Sequence, residues 1–191
     1  IYAALERYLK KRTADSYLAI HHRLDIETSG VMLFSKNRTA NRSIHFQFKN
    51  HAVIKQYIAF AKGIADFTEK NLVSHIGRKD GKYYCTNSSN GKEAITLFKN
   101  SGNTGEFTIF EAIPRTGRTH QIRLQLSGIG HPVLGDKLYG DKNTSSKYPR
   151  TMLHASSITL QHPVTQKALT VKAELFEDMY HIIALHKEKR N

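Results

Sequence analysis

Apolar and polar positions follow two rhythms along the chain, and each change of rhythm marks a new element. Residues 1–12 place Ile1, Leu5, Tyr8 and Leu9 at helical spacing, with Lys10, Lys11 and Arg12 completing the last turn, which predicts a helix. The run Val31-Met32-Leu33-Phe34, with Ser35, predicts a buried strand over 31–35. Within 38–50, Ala40, Ile44 and Phe48 recur at i, i+4 and i+8, so a second helix is predicted there. Residues 54–62 read as a β segment ended by Gly63. From 71 to 113, short strand candidates are cut by Asp80-Gly81, by Asn90-Gly91 and by the turn-rich run 101–105. Residues 93–100 and 106–114 flank that run and predict a hairpin. Thr116-Gly117 then leads into a helix with Ile122, Leu126 and Ile129 on its apolar stripe. Residues 152–163 and 167–176 predict a further strand pair, followed by a short helix within 176–187. The polar stretch 140–150 reads as an exposed loop, and there is no internal repeat. Strands joined by tight turns, with occasional helices, predict an α+β fold with a mixed, mainly antiparallel sheet. Residues 1–191 are expected to form one domain.

Composition narrows the function classes. The longest uninterrupted apolar runs, 1–5 and 57–61, are five residues each, whereas a spanning helix needs about 20. No membrane is therefore expected as a partner. The first residues lack the order of a signal peptide. Cys85 is the single cysteine, which excludes an intrachain disulfide and a cysteine-based zinc site and suits a reducing, cytoplasmic setting. Against 16 acidic residues stand 29 Lys and Arg, a formal net charge of +13. Such an excess favours a polyanion, RNA or DNA, because each cation placed on a phosphate releases condensed counterions.

Two stretches carry candidate chemistry. Residues 21–30, HHRLDIETSG, set one acid, Asp25, between Arg23 and the predicted strand. The plain alternative is a turn aspartate capping its own backbone. Residues 114–140, PRTGRTHQIRLQLSGIGHPVLGDKLYG, place Arg115 and Arg118 at or before a helix start, where free N–H groups favour anions. Arg123 lies one turn further on, beside the apolar stripe, and would need an acid partner if drawn inward. The alternative makes Arg118 and Arg123 residues of a solvated helix face, and Tyr57 an ordinary strand aromatic. No G-x-x-x-x-G-K-[ST] loop, H-E-x-x-H pair or cysteine cluster is present, and the eleven histidines offer no evident ligand set. No metal site is expected.

Taken together, HRLDIETSG, KQYIA, TGRTHQIR with GHPVLGDKLYG, and LHA follow one another in an order that resembles the RluA family of pseudouridine synthases, from about residue 18 to 175. The resemblance implies the pseudouridine synthase catalytic fold, with flanking helices and an active-site cleft across the sheet. It implies isomerisation of uridine to pseudouridine within an RNA chain, without a metal or any other cofactor. Asp25 matches the family's catalytic aspartate, a nucleophile or a base on the sugar, and Arg123 its cationic partner. Tyr57 matches the active-site tyrosine, which stacks on the base and helps remove the C5 proton. Arg23 would fill the space left by a flipped-out uridine. His22, Arg115, Arg118 and His120 are expected on the RNA-binding surface. Thr28, Ser29 and Gly30 read as structural, Gly30 allowing a tight turn.

Family members usually have a further strand and a Pro- and Gly-containing segment before the first helix, and many carry a small RNA-binding domain ahead of that. This chain starts at Ile1 without either, so the N-terminal part of the family domain is expected to be missing. By resemblance the substrate is ribosomal RNA first and transfer RNA second, and a monomer is expected. A non-catalytic RNA-binding module or RNA chaperone is the alternative. The presence of Asp25, Tyr57 and Arg123 together speaks against it, since binding alone needs no acid that repels phosphate. A metal-dependent nuclease would need a carboxylate cluster that the sequence lacks.

Overall fold

The computed structural model describes residues 1–13, 17–141 and 145–188. Helix α1 (Tyr2–Lys10) is followed by three two-residue strands, β1 (Ala19–Ile20), β2 (Ser29–Gly30) and β3 (Phe34–Ser35). Helix α2 (Arg38–Lys49) leads into β4 (Ile54–Lys62), β5 (Glu69–Lys79), β6 (Lys82–Thr86), β7 (Lys92–Asn103) and β8 (Phe107–Pro114). Helix α3 (Gln121–Gly128), β9 (Leu153–Gln161), β10 (Ala168–Lys172) and α4 (Glu177–Glu188) complete the order.

Eight strands share one sheet. Seven run β10-β9-β4-β8-β7-β5-β6 with antiparallel neighbours, and β2 adds a short parallel pairing to β9. Strands β1 and β3 pair with each other. The mixed, mainly antiparallel α+β architecture is the one expected from the strand and turn pattern. Local chemistry explains the joints. The Asn37 side chain caps α2 by accepting the Ala40 N–H at 2.7 Å. Asp80 and Gly81, at φ of +49° and +78°, close the β5–β6 hairpin in left-handed backbone.

The main core lies where β4, β7 and β8 meet α3 and α4. Phe60, Phe98, Phe107 and Phe110 are enclosed there with Leu126, Met152 and Met179. A smaller cluster sets Ile44 of α2 against Ile158 and Leu160 of β9, with Val31, Leu33 and Phe48 around them. Helix α3 departs from the one-stripe picture: every residue from Gln121 to Leu126 is buried. Gln125 donates to Ser74 Oγ and the Ala94 carbonyl and accepts from Thr96 Oγ1, so polar bonds tie this helix to β5 and β7. No helix among the described residues is long and apolar enough to cross a membrane.

Two expectations need correction. The strand predicted over 31–35 shrinks to Phe34–Ser35, because the Val31 N–H bonds the Ala155 carbonyl and the Leu33 N–H bonds the His22 ring. Those amides are taken by a crossing strand and a side chain, so no longer ladder forms. The 140–150 stretch is not simply an exposed loop, although its residues 142–144 lie outside the described part. Arg150 is half-buried and grips Asp178 of α4 through Nε and Nη2 at 2.7 and 2.8 Å. Its third nitrogen, Nη1, donates to the carbonyls of Glu27, Thr151 and Leu153.

Candidate active site

A cavity of about 600 Å³ opens between the β1–β2 loop, α2, the start of β4 and the segment linking β8 to α3. Four Lys or Arg side chains line it, Arg23, Lys49, Lys55 and Arg118, against a single acid, Asp25. The wall therefore favours an anionic guest, with one negative charge placed inside it.

The loop that carries Asp25 is fixed from several sides. Ser29 and Gly30 pair with His154 and Ala155 of β9, and Ser29 Oγ lies 2.8 Å from His154 Nδ1. The TSG and LHA stretches of the sequence thus meet. Gly30, at φ +113°, passes so close to β9 that a Cβ there would lie 2.2 Å from the Ala155 oxygen. Glu27, also in left-handed backbone, accepts from Lys137 at 3.0 Å and from the Thr151 N–H at 3.2 Å. Its carboxyl is held below the usual range, first by the Lys137 hydrogen bond. The turn bond at Asp25 is made by its backbone carbonyl, which accepts the Thr28 N–H. The side chain is free of capping duty and turns to Arg123.

Arg123 reaches this carboxylate from inside α3. It is 4% exposed, and its Nη1 lies 3.4 Å from Asp25 Oδ2. Its other two nitrogens, Nε and Nη2, donate to the two oxygens of fully buried Asp136, each at 2.7 Å. Asp136 Oδ1 also accepts the backbone N–H groups of Leu138 and Tyr139. The Arg123 guanidinium lies over the Tyr139 ring, 5.2 Å from its centroid. Burial opposes the charge on Arg123, but Asp136, and after it Asp25, holds the guanidinium pKa above its ordinary value. Burial likewise works against ionised Asp136, and the Arg123 bonds outweigh it, leaving that carboxyl below its ordinary range. The bidentate lock on Asp136 occupies Nε and Nη2 and leaves Nη1 directed at Asp25.

Tyr57 stands on β4, between Ala112 of β8 and Ala155 of β9 in the sheet register. Its half-buried ring packs against the main core and lines the cavity. Burial, and then the nearby Asp25 charge, pushes its phenol up to about 12. It stays protonated at neutral pH.

The other expected residues divide. Arg23 is exposed at the cavity and donates to Thr119 Oγ1 at 3.1 Å, so its guanidinium spans from the Asp25 loop to the β8–α3 segment. Arg118 lines the cavity, but its Nε donates to the Glu93 carbonyl at 2.8 Å and its backbone N–H to Gln121 Oε1. The free helix-start amide expected at Arg118 is thus already taken. His120 caps α3 in left-handed backbone at φ +54°, its Nδ1 2.7 Å from the Tyr139 hydroxyl, and burial leads the lowering of its pKa. His22 stacks on Phe48 and accepts the Leu33 N–H, and burial brings its pKa down to about 4. It is a neutral wall residue, unable to act as a cation at physiological pH. Arg115 is exposed and is not among the residues lining the cavity. Asp136, Glu27 and Lys55 were missed. The acid requirement of a buried arginine pointed to a partner, and GDKLYG held a second candidate besides Asp25. Among the described residues no group of three or more His, Cys, Asp or Glu is placed to hold a metal ion.

The family model for RNA pseudouridylate synthase matches residues 3–128, which contain Asp25, Tyr57 and Arg123. The chain belongs to the RNA pseudouridylate synthase family. Among its curated relatives, the ribosomal large subunit pseudouridine synthase C of Buchnera aphidicola subsp. Schizaphis graminum is 35% identical over 187 residues, covering 92% of this chain and 58% of the relative. The protein of the same name from Rickettsia typhi is 38% identical over 174 residues, covering 88% of this chain and 56% of the relative. The chain therefore spans less than two thirds of the length of these family members. The solved structure of human RNA Pseudouridylate Synthase Domain Containing 1 superposes with a TM-score of 0.75 at 25% identity, covering 96% of this chain and 84% of that one. The resemblance to the RluA family stands, and the fold is the family fold.

Proposed function

We propose that residues 1–191 form the catalytic domain of an RNA pseudouridine synthase that acts as a monomer in the cytoplasm on structured RNA, ribosomal RNA first and transfer RNA second. One observation carries the reading: a lone carboxylate, Asp25, faces a cationic cavity from a fixed loop, with Arg123 behind it and Tyr57 beside it. The names of the bacterial relatives, ribosomal large subunit pseudouridine synthases, support the choice of RNA.

The reaction suits this arrangement. The N1–C1′ bond of uridine breaks, the uracil ring turns over, C5 bonds to C1′, and the C5 proton leaves, its place on the ring taken by N1–H. Substrate and product are isomers, so no oxidant, reductant or phosphoryl donor enters. Asp25 serves as the nucleophile at C1′ or as a base on the ribose, and both roles need its charge in contact with the sugar. Arg123 orients that carboxylate and steadies the charge as the bond to uracil breaks. Tyr57 offers its ring face to the base. Because its phenol stays protonated, it assists loss of the C5 proton as a neutral hydroxyl that passes a proton on to water, not as a phenolate, while N1 takes up a proton in turn. A uridine inside a stem must be flipped to reach this cavity, and Arg23 at its mouth is placed to occupy the vacated stack.

The test is pseudouridine mapping of large-subunit ribosomal RNA and transfer RNA transcripts incubated with the protein. New pseudouridine at defined uridines is expected. Tight RNA binding with no new pseudouridine in any transcript would favour the binding-module alternative.

A further inference from the structure

Lys55 is left unused by the chemistry above. It lines the cavity from β4, two residues before Tyr57, while Gln56 between them bonds Glu111 and Ser157. The register shift between β4 and β9 places its extra residue, Ser156, on β9. Strand β4 therefore keeps its alternation, and Lys55 shares a face with Tyr57. Among the described residues no carboxylate lies within ion-pair distance of the Lys55 ammonium. Its hydrogen bond is a long one, 3.4 Å to the Thr116 carbonyl. Burial lowers its pKa with no acid to offset that. An enclosed cation without a counter-ion is costly to keep.

Its surroundings complete the picture. His22 accepts the Leu33 N–H through Nε2, so its proton sits on Nδ1, and that buried N–H has no acceptor. Gly117 borders the ammonium, a Cβ there lying at an ordinary contact distance of 3.6 Å from Lys55 Nζ. Asp25, the one acid of the wall, is paired with Arg123. This corner has donors and no anion. Two residues of extended strand cover about 7 Å, a span comparable to that from a pyrimidine ring to the phosphate of its own nucleotide.

We propose that Lys55 binds a phosphate flanking the target uridine and so fixes where the flipped base lands against Tyr57. The proposal rests on the pseudouridine synthase reading and adds to it the residue that holds the RNA backbone.

The test uses a synthetic stem-loop containing the uridine that the protein modifies in a ribosomal RNA transcript. It is made with natural phosphates, or with one neutral methylphosphonate on the 5′ or the 3′ side of that uridine. For the wild-type protein, one of the two substitutions is expected to lower kcat/KM about 10- to 100-fold, the worth of a charge-assisted hydrogen bond. Lys55→Met should lose a similar factor on natural RNA and nothing further on the sensitive methylphosphonate RNA. Lys55→Arg should recover most of the loss. Its salt slope should match wild type, whereas that of Lys55→Met should be shallower by about 0.7–0.9. Additive losses, or wild-type kcat/KM for Lys55→Met, would overturn the proposal. So would a wild-type enzyme indifferent to both methylphosphonates, a result that needs no folded variant. A wild-type protein that forms no pseudouridine in any transcript overturns the underlying reading and the anchor with it, a different outcome from an active enzyme indifferent to Lys55.

Discussion

Arg123 has three guanidinium nitrogens and two carboxylates to divide them between. Asp136 takes two with short bonds, and Asp25 is left with one at 3.4 Å. The division separates two tasks: the buried acid holds the arginine with short bonds, and the arginine holds the cavity acid by one long bond, which suits the role proposed for Asp25. Asp136→Ala leaves a buried guanidinium without its main partner and should cost about 3–5 kcal/mol of folding stability, read from urea unfolding. A loss below about 1 kcal/mol would mean that water or Asp25 replaces the missing partner. Tyr57→Phe keeps the ring and deletes a hydroxyl that burial holds protonated. RNA affinity should stay near wild type while the rate of product formation falls at least about tenfold, within the usual range for assisted proton transfer. Wild-type turnover in this variant would reduce Tyr57 to a stacking surface.

The placement of Asp25 belongs to the elements. Strand β2 is two residues long, yet it sets the aspartate loop against β9, and Gly30 makes that contact possible. Gly30→Ala combines a backbone at φ +113° with a methyl group aimed at the Ala155 carbonyl. A cost of about 1–3 kcal/mol or more is expected, with a further loss of activity in the protein that still folds. Thermal unfolding beside pseudouridine yield would show both, and a fully stable, fully active variant would contradict this account of the loop. Much of the element order was legible in sequence because hairpins and amphipathic helices declare themselves locally. The segment 54–62 and the helix over 38–50 stand where their patterns put them. Residues 31–33 do not form a strand, since their amides bond partners distant in sequence, Ala155 and His22. Helix α3 hid its burial for a related reason: Gln121, Arg123 and Gln125 look solvated until the hydrogen-bond partners that Ser74, Thr96 and Asp136 supply are seen. Asp25 and Arg123 could be paired from sequence by resemblance, but Asp136 becomes visible as the lock only in three dimensions.

On the scale of the whole molecule, the histidines make stability depend on pH. His22 carries a folded pKa of about 4 against an ordinary 6.5, and burial also lowers His21 and His154. Well above pH 6.5 their contribution is complete; as pH falls through 6.5, and for His22 on toward 4, the unfolded chain takes up protons that the folded one refuses, and stability is lost. For His22 alone the loss is on the order of 2–3 kcal/mol after allowing for partial exposure. Denaturation series at pH 7 and pH 4.5 should show it, and His22→Asn should flatten the difference. The excess positive charge of the chain and its cationic cavity suit the proposed RNA substrate, and the one acid lining that cavity is the feature on which the proposed enzyme and a mere binder differ. Asp25→Asn tests this most directly, because it preserves shape and hydrogen-bonding capacity while removing the charge that both proposed roles require. Gel-shift affinity and pseudouridine mapping should be measured on the same purified variant with the same ribosomal RNA. Folded protein, affinity equal to or above wild type and no detectable pseudouridine are expected, and pseudouridine formed at close to the wild-type rate would contradict the assignment of Asp25.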